Sequence, residues 1–122
     1  MLRPIVVVLT ALVALLGLTA CGSASDTSST STPLPTKKIA ISVQGTTITP
    51  NGDRVDVKIG QPVQFVVTAD SAGEIHVHSD PEKELEYTKG TTTLDVGTFD
   101  HAGIIEVESH ALDKTIVQLQ VQ

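Results

Sequence analysis

Four histidines, His76, His78, His101 and His110, are the side chains of this sequence best suited to hold a ligand. Neutral imidazole is a good donor to copper, zinc and nickel, and it changes charge near neutral pH. Two of the four stand at alternate positions in Glu74-Ile75-His76-Val77-His78-Ser79-Asp80. If this segment is extended, Ile75 and Val77 face one side while His76, His78 and Asp80 face the other. Side chains two apart on a strand lie roughly 6.5–7 Å from each other, close enough for two imidazoles to meet at one metal ion. A third ligand would come from elsewhere in the fold. For this segment taken alone, the competing reading is a solvated strand face that carries two histidines.

The other two histidines bracket a second segment. Phe99-Asp100-His101-Ala102-Gly103 reads as a turn feeding the strand Ile104-Ile105-Glu106-Val107-Glu108-Ser109, and His110 follows that strand. Thr115 to Val121 then returns antiparallel to it. His101 and His110 are therefore at opposite ends of one hairpin, separated by roughly 20–25 Å at about 3.4 Å per residue. They cannot share one ion, so His101 reads as a surface turn residue and His110 as the candidate third ligand. Glu106 and Glu108 share the solvent face of their strand. Asp80, Glu82, Glu84 and Glu86, interrupted by Lys83, read as a solvated acidic loop.

No arrangement of nucleophile and base accompanies these residues. Ser109 and His110 are neighbours in sequence, but adjacent strand residues point to opposite faces, which disfavours a hydrogen bond between them. No glycine-rich phosphate loop occurs. A small hydrolase dependent on His110 is a remote reading, and no enzymatic activity is expected.

The elements that must position the histidines are short strands. Runs at Ile39–Val43, Thr46–Thr49, Val55–Ile59, Val63–Thr68, Ile75–Ser79, Thr91–Val96, Ile104–Ser109 and Thr115–Val121 are β-rich and separated by Gly, Pro, Asn and Asp. That pattern predicts an all-β fold, an antiparallel Greek-key β-sandwich, over residues 37–122. Only Pro81 to Tyr87 is read as able to hold a helical turn. With aromatics at 2% of the chain, the core must be built from Ile, Val and Leu, with Phe65 and Phe99 as bulky fillers.

The chain has 122 residues, one cysteine and a formal net charge of -6. That length allows a single domain. The acidic balance argues against nucleic acid, which requires a basic stripe. One cysteine excludes an internal disulfide and any multi-cysteine metal site. Its position gives it a different meaning. Arg3 is followed by an uncharged, mostly apolar run from Ile5 to Leu18 and then by Leu18-Thr19-Ala20-Cys21. A short positive start, an apolar core too short to span a bilayer and small residues at the cut form a secretory signal, expected over residues 1–20. Leu-Thr-Ala-Cys resembles the bacterial lipobox, which implies acylation of Cys21 and an anchor that holds the chain at the membrane without spanning it. Residues 21–36, rich in Ser, Thr and Pro, read as a flexible tether reaching roughly 20 Å from the membrane surface. The expected location is the extracytoplasmic face of the cell membrane.

The order of strands, the His-bearing segment after Val63–Thr68 and the final hairpin together resemble a cupredoxin-like domain. In that family a turn of the form Phe-x-x-x-Gly enters the penultimate strand, as Phe99 to Gly103 does here. That strand leads to a Cys, a His and a Met ligand. By this resemblance Ser109 falls near the cysteine position and His110 follows it. Glu-Ile-His-Val-His also looks like a segment of cupredoxin-like lipoproteins of actinobacterial type. The departures govern the chemistry implied: no cysteine follows Cys21 and no methionine follows Met1, so the thiolate and thioether of a blue-copper centre are missing. What remains is a histidine site for Cu(II) or Zn(II), with His110 closing on His76 or His78 across the sandwich. The function expected is that of a lipid-anchored, monomeric binding protein in envelope metal handling. Its alternative is a metal-free interaction module presenting the sandwich to another envelope protein.

Overall fold

The computed structural model describes residues 32–122. The signal and lipidation site expected at residues 1–21 lie outside them. Among the described residues nine strands form: β1 (Lys37–Gln44), β2 (Thr47–Thr49), β3 (Asp53–Val57), β4 (Val63–Ala69), β5 (Gly73–Val77), β6 (Lys83–Tyr87), β7 (Gly90–Gly97), β8 (Gly103–Ser109) and β9 (Lys114–Val121), with a 3₁₀ turn at His110–Leu112. They make a four-stranded sheet ordered β2-β1-β4-β7 and a five-stranded sheet ordered β3-β9-β8-β5-β6. The chain crosses between sheets after β2, β3, β4, β6 and β7. The predicted all-β sandwich is the observed architecture. Among the described residues no helix is long and apolar enough to cross a membrane.

Two pairings are parallel, β1 with β4 and β3 with β9, so each sheet is mixed rather than wholly antiparallel. Local turns cannot produce parallel neighbours. They arise because, between the two strands of each pair, the chain leaves for the other sheet and later returns, so that strands of like direction end side by side.

Period-2 alternation sorts the side chains between the layers. Ile39, Ile41 and Val43 of β1, Phe65 and Val67 of β4, Ile75 and Val77 of β5, and Val107 of β8 all point inward and are buried. Each such aliphatic residue contributes roughly 1.5–3 kcal/mol by leaving water. All three aromatic residues of the chain, Phe65, Tyr87 and Phe99, are buried in this core, Tyr87 joining the two fillers expected.

The segment read as a helical turn, Pro81 to Tyr87, is instead mostly strand. Lys83-Glu84-Leu85-Glu86-Tyr87 alternates, with Leu85 packed on the core and Tyr87 buried, and β6 pairs along all of β5. Tyr87 lies opposite Gly73, where a Cβ would sit 2.4 Å from its hydroxyl oxygen. Only glycine leaves room there for the ring. Lys83 donates a short hydrogen bond to the Val96 carbonyl, tying the edge of one sheet to the other.

A β-bulge interrupts the β8–β9 ladder. Val107 pairs with Val117 but Glu108 pairs with Thr115, so Ile116 is left over. Ile116 and Val117 are consecutive yet both fully buried, and the Ile116 carbonyl accepts from the Gly52 amide at 3.0 Å. The bulge lies directly beside Glu108, the usual place for such a feature when a side chain must be re-aimed.

Candidate metal centre

Strand β5 buries Ile75 and Val77 and turns His76 outward, with His78 just beyond its end. The His78 amide continues the ladder by donating to the Glu106 carbonyl at 2.9 Å, which keeps both imidazoles on one face. Strand β8 runs alongside, its register placing Glu108 beside His76. At the end of β8 the chain turns through His110–Leu112, closed by the Asp113 amide donating to the His110 carbonyl at 3.2 Å. Asp113 adopts the left-handed conformation (φ 52°), which Asp tolerates better than branched residues do. Leu112 packs on the core, and the turn brings His110 over β5.

His76, His78 and His110 thereby converge: one potential donor atom from each lies within 4.8 Å of those of the other two. His76 Nδ1 and His110 Nε2 are 3.0 Å apart, and the two rings meet edge-on with centroids 4.4 Å apart. The His78 ring is 4.6 Å from that of His76 and 5.9 Å from that of His110. Exposure is graded, with the side chain of His76 11% accessible, that of His78 35% and that of His110 57%. The cluster sits on the outer face of the five-stranded sheet. It does not close across the sandwich as expected, because β5 and β8 are neighbours in one sheet and their inward positions are filled by Ile75, Val77 and Val107. His101 is in the exposed turn before β8 and is not a member of the three-histidine cluster. It lines a shallow depression of about 360 Å³ together with His78, Asp80, Phe99 and Asp100.

Two carboxylates complete the arrangement. Glu82 reaches His76 Nε2 with one oxygen at 3.2 Å and His78 Nδ1 with the other at 3.4 Å. Glu108 Oε2 lies 2.9 Å from His78 Nε2 and 3.6 Å from His110 Nε2. Its second oxygen accepts from the Thr115 hydroxyl at 3.4 Å, across the bulge. The hydrogen bond to Glu108, aided by the charges of Glu108 and Glu82, raises the pKa of His78 above the ordinary imidazole value despite some desolvation. Reciprocally, the hydrogen bond from His78 holds the Glu108 carboxyl below the ordinary carboxylate range.

The sequence singled out the three histidines but read Glu82 as loop and Glu108 only as solvent-facing. The signal for Glu108 was its outward parity on β8, shared with Glu106; what was missing was the β5–β8 register. Glu82 had only its spacing from His78 to recommend it.

No family model matches the chain, and no curated protein matches it. Among solved structures it is similar to a mutant of amicyanin with Cu(I), at 14% identity and a TM-score of 0.48, over 70% of this chain and 82% of that one. It is also similar to a chain of a heme-copper terminal oxidase dimer, at 12% identity and a TM-score of 0.45, over 70% of this chain. That alignment spans 65% of the oxidase chain, less than two thirds of its length. Both scores are below 0.5, and the copper named for these proteins is a property of theirs.

Proposed function

We propose that this chain is a membrane-anchored, extracytoplasmic lipoprotein whose cupredoxin-like sandwich binds Cu(II) or Zn(II) through His76, His78 and His110 in metal handling at the cell envelope. The observation that carries the reading is the 3.0 Å separation of His76 Nδ1 and His110 Nε2 beside a third imidazole. Two imidazole nitrogens that close share one proton or one ion between them. Donors bound at 2.0–2.1 Å to a tetrahedral ion stand roughly 3.3 Å apart, so small side-chain movements would suffice.

The donor set also says what kind of site this is. The only sulfur-bearing residues of the chain are Met1 and Cys21, far in sequence from the histidines. Borderline imidazole donors suit Cu(II) and Zn(II), and without a thiolate the strong copper–sulfur bond of a blue-copper electron-transfer centre has no counterpart. Binding rather than turnover is supported by Ser109 and His110: the first is buried and the second exposed, so no nucleophile meets a base there. The anchoring part of the proposal rests on the Leu18-Thr19-Ala20-Cys21 sequence after the apolar run.

The test is titration of the full chain, purified in detergent at neutral pH, with Cu(II) and with Zn(II), in parallel with His76→Ala, His78→Ala and His110→Ala. Micromolar or tighter binding that weakens in at least two variants is the expected result. No binding, or binding indifferent to all three, would leave the rival reading, a metal-free module that docks on another envelope protein. For the anchor, Cys21→Ser should release the protein from membranes into the soluble fraction, and continued retention would refute acylation.

A further inference from the structure

We infer that Glu108 is a fourth ligand of this centre, that Glu82 orients the imidazoles from outside it, and that the resulting set of three nitrogens and one carboxylate oxygen favours a divalent ion over Cu(I). The inference rests on the metal-binding reading above and deepens it.

The two carboxylates contact different sides of the histidines. Glu82 takes His76 Nε2 and His78 Nδ1. The nitrogens left are His76 Nδ1 and His78 Nε2, and His110 Nε2 lies 3.0 Å from the first of these. It is on this side that Glu108 Oε2 lies, 2.9 Å from His78 Nε2 and 3.6 Å from His110 Nε2. Those separations bracket the roughly 3.3 Å between neighbouring donors around a tetrahedral ion. Glu108 Oε2 thus stands at ligand spacing from two of the three donor nitrogens. Glu82, by contrast, sits where an orienting carboxylate belongs, accepting from the ring N–H on the far side of a ligating imidazole.

The supports of the two residues differ in the same sense. Glu108 is on a strand, is 27% exposed, and is steadied by Thr115 across the bulge, whereas Glu82 lies before β6 and is 61% exposed. A ligand carboxylate should be held by the scaffold, and Glu108 is the one that is. Its chemistry sets selectivity: a carboxylate oxygen is a hard anionic donor that suits Zn(II) and Cu(II), while Cu(I) is satisfied by fewer and softer donors. Glu84 is a natural control. It faces His76 from β6 and carries the same charge on the same face, but forms no ion pair with the imidazoles among the described residues.

The experiment titrates the full chain in detergent with Zn(II), with Cu(II) and, anaerobically, with Cu(I), comparing wild type, Glu108→Gln and Glu84→Gln. Thermal melts check that each metal-free variant is folded. Glu108→Gln should weaken Zn(II) and Cu(II) by about tenfold or more and alter the Cu(II) electron paramagnetic resonance spectrum. It should leave Cu(I) affinity within about twofold, and Glu84→Gln should leave both affinities and spectrum near wild type. If wild type binds through its histidines and Glu108→Gln changes neither affinity nor spectrum, the fourth ligand is refuted while the histidine site stands. Equal weakening of all three ions would make Glu108 a structural prop, and equal weakening by Glu84→Gln would make it a diffuse field effect; either overturns the inference. If the wild type binds none of the ions, the histidine site falls with it.

Discussion

On the outward face of the four-stranded sheet, Gln64 of β4 donates to Asp95 of β7 at 2.6 Å, and Thr68 bonds Thr91 at 3.3 Å. These are directly opposed cross-strand pairs, each satisfied by its neighbour. The outward face of the five-stranded sheet is arranged otherwise. There Glu74 stands opposite Glu86, a like-charge pair that weakens a sheet, and His76 stands between Glu84 on one side and Glu108 on the other. Contacts run diagonally in a ring from Glu82 through His78, Glu108 and His110 to His76 and back to Glu82. Among the described residues the buried side chains on the inner faces of both sheets are apolar apart from Ser109. The difference between the outer faces is therefore not required by the fold: one surface satisfies its polar side chains in directly opposed pairs, and the other concentrates ionisable groups at a cost in local stability.

The sharpest test of that contrast is His76→Ala, which removes the least exposed imidazole. Affinity for Zn(II) should fall by about 100-fold or more, measured by competition with a chelator of known affinity, while the melting temperature of the metal-free protein barely moves. A large loss of metal-free stability instead would mean that the outer face also holds the sandwich together. Next in size is Gly73→Ala. Its Cβ would meet the Tyr87 hydroxyl at 2.4 Å, so urea denaturation should show about 1–3 kcal/mol of destabilisation, because the buried ring has little room to move.

A smaller effect concerns pH. Metal can bind His78 only after displacing the proton that Glu108 and Glu82 help retain, so the midpoint at which Zn(II) affinity stops improving should lie above the ordinary imidazole value of 6.5. Below that midpoint affinity should fall about tenfold per pH unit for one displaced proton, and in Glu82→Gln the midpoint should move down. A midpoint below 6.5 would contradict the pairing seen here. Smallest of all, Gln64→Ala on the other sheet should change stability by no more than about 1 kcal/mol and leave metal affinity untouched. A loss of metal binding in that variant would show that the two faces communicate.

Much of this was legible along the chain. Alternation in Ile39-Ala40-Ile41-Ser42-Val43 and in Ile75-His76-Val77 is a local property, and it placed both the core and the outward histidines correctly. The acidic run at Glu82 to Glu86 misled because its carboxylates hide a two-residue period whose apolar members, Leu85 and Tyr87, are the ones that pack. What the sequence could not show were relations between distant segments: the parallel pairings, the Glu108–His76 register, and the bulge at Ile116. The turn at His110–Leu112 was missed for a different reason. Three residues are too few to display helical periodicity, yet they bring His110 back over β5 instead of letting it run on past the end of β8.

Ser109, which by sequence resemblance alone falls near the position of a blue-copper thiolate, continues the inward series of Val107 and is only 1% exposed. The imidazoles are on the other side of the same sheet. A Ser109→Cys variant would bury a thiol on the inward face of the sheet, where a raised pKa keeps it protonated and unreactive. A copper–thiolate centre is consequently not reached by substituting Ser109, because that side chain is directed inward, away from the imidazoles. Turning residue 109 toward the imidazoles would require re-registering β8 by one residue, which would turn Val107 out to solvent at the same time.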